Sequence, residues 1–374
     1  MTLDLVLIGF GNVARRFVRL LAELRPRLAR DHDIQTRVVG IATRRLGCVF
    51  DANGLDAVVR AELVESGGPL GPAAGSTIGF LRTSLERMNA SARGGRLVVV
   101  ETTTLDIARG RPAVDHVRAA LAGGAHVVTA NKGPAAFAYR RLATAASSAN
   151  RFFLFESAVM DGVPIFSLQR AALPATTITG FEGVVNTTTN YILTAVEQGE
   201  TFDGALAAMQ RAGIAEADAS LDLDGWDAAA KTAALANVLL DARLTPHDIE
   251  RESVTAAAGP RIRAARAVGR KLKLVASAER SGGAVRGRVR LAELPETDLL
   301  AQVEGQQNAL VLHTDLLGDI AIIQRGSGLT QTAYGLVSDL VTIGREVSQK
   351  RWRATPRPRP RARRRRSPAR RDRR

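Results

Sequence analysis

Asp227 and Lys231 stand four residues apart in an alanine-rich, helix-forming run, so they share one helical face, one turn apart. The stretch before them concentrates Glu216, Asp218, Asp222 and Asp224, and Asp224-Gly225 marks a turn into the helix. A loop of carboxylates above a helix carrying one lysine can hold a substrate ammonium group. It can also place a proton donor beside a reacting oxygen. The plain alternative is a solvated ion pair and acids that simply favour a helix N-terminus. A calcium loop fails as a third reading. Ser220-x-Asp222-x-Asp224-Gly225 imitates the start of an EF-hand, but the glutamate required at its twelfth position falls on Lys231.

Elements that position such a site start at the N-terminus. Residues 3–9 form a short apolar run closed by glycine, which reads as a buried strand. Gly9-Phe10-Gly11-Asn12-Val13-Ala14 then fits G-x-G-x-x-G/A, and a helical pattern follows from 13 to about 24, ended by Pro26. Between a strand and a helix, these glycines allow a tight turn and close approach of backbone to a pyrophosphate at the helix N-terminus. A second strand, 36–42, leads into Thr43-Arg44-Arg45 with no acid at 42–45. An acid at that tip binds a ribose 2′-hydroxyl and arginines accommodate a 2′-phosphate, so Arg44 and Arg45 point to NADP over NAD; the alternative is two ordinary loop arginines.

Residues 51–95 read as helix and loop, with a Gly/Pro-rich patch at 67–75. An apolar strand at 97–100 ends at Glu101-Thr102-Thr103-Thr104, and a strand at 126–129 ends at Ala130-Asn131-Lys132-Gly133. Both ends would face the crevice where ligands bind in open α/β sheets. The strand–helix alternation predicts a doubly wound, parallel nucleotide-binding domain over 1–133. After a helix at 135–148 and a strand at 152–155, the segment 156–164 is a tight loop with Asp161-Gly162 and Pro164. A strand at 180–185 leads to the polar cluster 186–191 before a helix at 192–198. Its Thr and Asn residues are most simply helix caps and alternatively line a pocket. Strands at 284–291 and 309–314 suit a second sheet, and a last helix, 332–343, is expected to pack back on the first domain. The fold class is therefore α/β: a Rossmann-like domain over 1–133, completed by a helix at about 326–345, plus a second, α+β domain over 134–325.

The chain has 374 residues, 45% of them hydrophobic, enough for two cored domains. One cysteine, Cys48, excludes an internal disulfide framework and a cysteine-based zinc site. The five histidines show no metal-ligand spacing. With no signal peptide and no apolar run long enough to span a bilayer, the expectation is a cytoplasmic protein without membrane contact. The net charge of +15 belongs to a tail: residues 350–374 hold fourteen Lys/Arg against one acid, which leaves only +2 for the rest. That Pro/Arg tail is expected to be disordered. Non-specific nucleic-acid binding is disfavoured against an extension without function, of the kind a shifted reading frame produces.

Seven motifs in register make the chain resemble homoserine dehydrogenase in its short form, without a regulatory ACT domain. They are IGFGNVARRF (8–17), ETTTLD (101–106), HVVTANKGP (126–134), FESAVMDGVPI (155–165), EGVVNTTTNYIL (182–193), GIAEADASLDLDGWDAAAK (213–231) and TAYGLVSDL (332–340). The resemblance implies reversible, NAD(P)-dependent interconversion of L-homoserine and L-aspartate 4-semialdehyde, on the way to threonine and methionine, in a homodimer, with 134–325 as the α+β catalytic and dimerisation domain. It implies Lys231 as proton donor and acceptor, Lys132 beside the nicotinamide and the reacting oxygen, and Glu216, Asp227, Asp222 and Thr188 at the substrate. It implies Gly9, Phe10, Gly11, Asn12, Val13, Thr102 and Thr103 at the cofactor, and a sodium ion at Glu156, Val159, Asp161 and Val163. For Lys231 to deliver a proton, partial burial and the second lysine are expected to bring its pKa down. Three positions depart from the family's pattern: Thr187 stands where many members have glycine, Ile214 where some have an aromatic residue, and the last glycine-rich turn reads Gly326-Ser327-Gly328-Leu329. Two rivals are a different amino-acid dehydrogenase on the same nucleotide domain and a catalytically dead nucleotide-binding regulator.

Overall fold

The computed structural model describes residues 1–73, 75–90, 96–212 and 218–354. The first sheet is built from β1 (Thr2–Ile8), β2 (Gln35–Ala42), β3 (Cys48–Phe50), β4 (Leu97–Glu101), β5 (His126–Thr129) and β6 (Phe153–Leu154), in the order β3-β2-β1-β4-β5-β6. All neighbours are parallel except β2 and β3. This is the dinucleotide-binding strand order, with its reversal point between β1 and β4. β1 and β4 are buried along almost their whole length because helices cover both faces, which explains their unbroken apolar runs.

α1 (Asn12–His32) does not stop at Pro26. Pro26 and Ala22, whose carbonyl loses its partner there, are both exposed, so water can replace the missing bond. Beyond the proline, Leu28 is buried and anchors a further turn. The domain boundary also differs from the expected 133. α5 (Gly133–Ser148) and β6 follow directly, and Phe153 and Leu154 pair with Val127 and Val128, so the first sheet runs on to Leu154. The strand expected at 152–155 is thus the last strand of the first sheet and not the opening of the second domain.

The second sheet contains β7 (Ile178–Val184), β8 (Glu250–Arg251), β9 (Arg270–Ser281), β10 (Ala284–Pro295), β11 (Asn308–Thr314) and β12 (Gly318–Gln324), in the order β12-β11-β7-β9-β10-β8. It is antiparallel apart from the β10–β8 pair. α7 (Thr187–Glu197), α10 (Trp226–Leu239) and α11 (Ala258–Ala267) lie on it. α7 starts five residues earlier than the sequence pattern indicates, since the Asn186 side chain accepts from the Thr189 amide and caps it.

α10 packs closely on α5, and the reason is composition. Ala228, Ala229, Ala233, Ala234 and Ala236 of α10 are buried, as are Ala135, Ala136 and Ala138 of α5. Small side chains let the two helices approach, and ridges into grooves then fix their register. Buried Asn237 locks it: its Nδ2 donates to the carbonyls of Ala135 at 3.1 Å, Ala136 at 3.2 Å and Leu244 at 2.8 Å.

The C-terminal helix α12 (Leu329–Ala354) returns to the first domain as expected. Ala333, Leu336, Val337, Leu340 and Ile343 join Phe17, Val18, Leu21 and Leu28 of α1 in one core. The helix is longer than expected, running through 350–354, the start of the supposed disordered tail. Nothing in that stretch breaks a helix before Pro356, which disfavours helical backbone at the residue preceding it. The rest of the tail, 355–374, lies outside the described residues.

Candidate active site

The glycine turn comes first. Gly9 has φ +92°, and a Cβ there would meet the carbonyl carbon and oxygen of Thr102 at 2.7 Å, so only glycine fits. Thr102 is pinned over it, its amide on the Ile8 carbonyl at 2.8 Å and its hydroxyl on the Gly9 carbonyl at 3.1 Å. The space beside Gly11 is open: a Cβ there would meet nothing within 4 Å, and Gly11 is the N-cap residue of α1. An extended phosphate ligand can approach the α1 amides there. Val13 lies in the first turn of α1, and Phe10 is buried in the core. Asn12 accepts from Arg15 Nη2 at 2.6 Å. At the tip of β2, Arg44 and Arg45 are exposed on a short turn held by Thr43, whose hydroxyl accepts from the Leu46 amide at 2.8 Å.

The chemical centre sits where the first sheet meets α10. Lys132 follows β5 and is the N-cap of α5; Asp227 and Lys231 are on the first turns of α10. Asp227 Oδ1 is 2.9 Å from Lys132 Nζ and its Oδ2 is 2.9 Å from Lys231 Nζ. One carboxylate thus holds two ammonium groups, all three side chains being 15–20% exposed. Lys231 also donates to the Val185 carbonyl at 2.7 Å. Asn186 Nδ2 donates both to Asp227 Oδ2 at 2.9 Å and to Asp222 Oδ1 at 2.7 Å, tying α7, α10 and the short helix α9 (Ser220–Leu223) together.

These contacts decide the charge states. Burial alone would raise the Asp227 pKa, but Lys132 and Lys231 outweigh it and hold the carboxyl far below the usual range. Burial alone would lower the Lys231 pKa, as the sequence suggested. Asp227 at hydrogen-bond distance overrides it, with Asp161 and Asp222 adding, and the pKa ends above the ordinary lysine value. The expectation of a depressed lysine is therefore corrected: its nearest charge is an anion, and the second lysine shares that anion. For Asp222, burial and the neighbouring Asp227 push the carboxyl up, against hydrogen bonds from Asn186 and Thr188.

The structure brings Lys132, Asp222, Asp227, Lys231 and buried Thr188 to one place. Three protein donors, Lys132, Lys231 and Asn186, bond to the Asp227 carboxylate. Glu216 lies outside the described residues. Asn186 and Asn237 were not among the expected site residues. Asn186 was visible only as one member of a polar cluster, and an asparagine inside an alanine-rich helix gives no distinctive signal.

Of the residues expected at a sodium ion, Glu156, Asp161 and Val163 make hydrogen bonds within the protein. The Glu156 carboxylate accepts from the amides of Phe166 at 2.8 Å and Ser167 at 2.9 Å, capping α6 (Ile165–Ala172). Asp161 Oδ1 accepts from the Thr332 hydroxyl at 3.1 Å, and the Val163 carbonyl accepts from the Ile165 amide at 2.8 Å. Val159 is in extended backbone, followed by left-handed Met160, Asp161 and Gly162. Gly162 abuts α12 so closely that a Cβ on it would lie 2.7 Å from the Gly335 Cα. Among the described residues no group of three or more His, Cys, Asp or Glu is placed to hold a metal. The sodium site that the resemblance implies is built largely of backbone carbonyls of this loop, and the reaction chemistry below does not involve it. No helix of the described residues is long and apolar enough to cross a membrane.

Two family models match in tandem: "Homoserine dehydrogenase, NAD binding domain" over residues 9–156 and "Homoserine dehydrogenase" over 164–341. The "NAD(+)-dependent homoserine dehydrogenase" of Pseudomonas canavaninivorans is 35% identical, the match covering 92% of this chain and 97% of that protein. The homoserine dehydrogenase of Methanocaldococcus jannaschii is 30% identical, over 91% and 98%. Among solved structures, a homoserine dehydrogenase from Thiobacillus denitrificans superposes with a TM-score of 0.78 at 28% identity, covering 95% of this chain and 76% of that one.

Proposed function

The chain belongs to the homoserine dehydrogenase family, oxidoreductases that act on a CH–OH group with NAD(P), and from that premise we propose that Lys231 is the group that exchanges the proton. The observation behind this reading is the Lys132–Asp227–Lys231 bridge at the carboxyl end of the first sheet. A bound nicotinamide dinucleotide would supply the hydride exchange with the carbinol carbon of L-homoserine, or with the carbonyl of L-aspartate 4-semialdehyde. In the reducing direction Lys231 donates its proton to the developing alkoxide; in the oxidising direction the neutral amine receives the hydroxyl proton. Lys132, the other positive charge on the same carboxylate, stabilises that oxygen. Glu216 and Asp227 hold the substrate ammonium, Asp227 also orienting Lys231, and Asp222 and Thr188 border it. The same reading puts the enzyme in the cytoplasm, on the way to threonine and methionine.

Gly9, Gly11, Asn12 and Val13 would hold the pyrophosphate of the dinucleotide at the α1 N-terminus, and Thr102 and Thr103 would line the nicotinamide site. Arg44 and Arg45, exposed with no acid beside them, favour the 2′-phosphate of NADP; the relative from Pseudomonas is named for NAD(+). The test is the rate of nicotinamide reduction by purified protein with L-homoserine and each dinucleotide. Faster turnover with NADP, and a fall of about tenfold or more in the NADP/NAD ratio of kcat/KM for Arg44→Asp, is the expected result, a change of about 1.4 kcal/mol per tenfold. Preference for NAD, or an unchanged ratio, removes the arginines from the cofactor site while leaving the dehydrogenase. No turnover with either in folded protein overturns the function.

A homodimer through the second sheet belongs to the same reading. The β11–β12 hairpin exposes Leu316 and Leu317 at its tip and Ile323 on the edge strand, apolar surface that a second copy would cover. Light scattering is expected to give twice the chain mass; a monomer at micromolar concentration ends the idea.

A further inference from the structure

Glu101 is fully buried at the carboxyl end of β4 and takes no part in the chemistry above. Its carboxylate gathers donors from separate parts of the fold. Oε1 accepts from the Thr103 amide at 3.0 Å and from the Thr103 hydroxyl; Oε2 accepts from the Thr129 hydroxyl at 2.8 Å. Thr129 in turn accepts from the Asn131 amide at 2.9 Å. Asn131 Nδ2 donates to the Thr103 carbonyl at 2.8 Å, and Asn131 Oδ1 accepts from the Gly133 amide at 2.8 Å. The bonds close a ring, Thr103–Glu101–Thr129–Asn131–Thr103. Lys132 is the residue gripped between Asn131 and Gly133.

Behind the ring lies His116 on α4 (Ala113–Ala122), also fully buried. Its Nε2 is 2.7 Å from the Thr77 hydroxyl and its Nδ1 faces Glu101 Oε1 at 3.7 Å with no hydrogen-bond partner. A buried carboxylate is costly to keep unless its lone pairs are satisfied. A strand end inside a core needs no acid to fold. An acceptor-only group does suit this position, because both threonine hydroxyls and an amide all donate into it. A glutamine would turn an NH₂ towards one of those donors.

We propose that Glu101, with Thr129 and Asn131, is a positioning network that sets two things in one register: the Thr102–Thr103 edge of the dinucleotide site and the backbone of Lys132. This rests on the role given to Lys132 above. Thr102 lies on Gly9, so one end of the ring touches the pyrophosphate turn, while the other end delivers the ammonium that bridges to Asp227. Small displacements of such a pair are expensive in rate because hydride transfer depends on the geometry of approach.

The experiment compares Glu101→Gln, Thr129→Val and Thr129→Ser with wild type in the full chain. The Gln and Val variants are expected to lose on the order of tenfold to a hundredfold in kcat. Their deuterium isotope effect with homoserine labelled at the carbinol carbon should rise as hydride transfer becomes slow. Thr129→Ser, which keeps the hydroxyl, should recover most of the rate. Reduced-dinucleotide binding, followed by its fluorescence, should weaken in Glu101→Gln; this arm does not depend on the substrate. Wild-type kcat, isotope effect and affinity in a folded Glu101→Gln overturn the network. If that variant does not fold, wild-type kinetics in Thr129→Val overturn it. Wild-type protein that binds dinucleotide but turns over no homoserine defeats the functional reading instead, and unchanged affinity in Glu101→Gln then defeats the network separately.

Discussion

Replacing Lys231 by alanine is expected to lower kcat by about 10²–10⁴, the usual worth of a positioned acid–base group, in both directions of the reaction. Dinucleotide affinity should stay close to wild type, because no contact of Lys231 reaches the Gly9–Val13 turn; its partners are Asp227 and the Val185 carbonyl. The wild-type pH dependence carries the same signature. Asp227 holds the Lys231 pKa above the ordinary 10.5, so the ammonium form prevails through neutral pH. Semialdehyde reduction, which needs the donor, should be level across neutral pH and fall only at strongly alkaline pH. Homoserine oxidation, which needs the neutral amine, should keep rising with pH over the whole neutral range. Wild-type turnover in Lys231→Ala refutes the assignment, and an oxidation profile that levels off near neutrality refutes the raised pKa.

Asp227→Asn is expected to be the most destabilising single change at the site. The carboxylate bridges two ammonium groups at 2.9 Å in a place where the side chains are mostly buried. Removing one charge of a buried set leaves the others uncompensated, at a cost of about 3–5 kcal/mol. Denaturant titration of the two proteins reads that difference, and kcat should fall with it as Lys132 and Lys231 lose their common anchor. The sign with pH follows from the depressed carboxyl. Its contribution is fully present above the unfolded value, about 3.9, and is lost as pH falls through the lower folded value. Lys231, with a raised pKa, contributes below the ordinary lysine value and loses that contribution as pH rises through the folded one. The gap between wild type and variant should therefore be widest around neutrality and shrink in acid. Equal midpoints at neutral pH would show that the lysines do not need the bridge.

The helical spacing of Asp227 and Lys231, the glycine turn and the lysine after β5 were all readable because each is local: a period, a turn requirement, a strand end. The bridge from Lys132 to Asp227 was not. It joins residues 95 positions apart through the packing of two alanine-rich faces, and alanine faces carry little pattern. For the same reason the direction expected for the Lys231 pKa was wrong: the sequence offers a second lysine but no distance to the shared anion. Pro26 misled because a proline's cost depends on whether the freed carbonyl meets water, and exposure is not written in the sequence. Glu101 looked like the polar end of an apolar strand, and only the meeting of Thr103, Thr129 and His116 around it shows a hub.

The return of α12 to α1 bears on how the protein is made. Phe17, Val18, Leu21 and Leu28 leave the ribosome early, yet part of their cover, Leu336, Val337, Leu340 and Ile343, is encoded about 300 residues later. At about 5–20 residues per second, that face waits on the order of 15–60 seconds for its lid. The first domain to emerge is thus the last to be finished, and a growing chain presents a greasy stripe to chaperones for most of its synthesis. A ribosome that stalls before Leu329 releases a polypeptide holding Lys132, Asp227 and Lys231 but lacking the strap that closes its nucleotide-binding half.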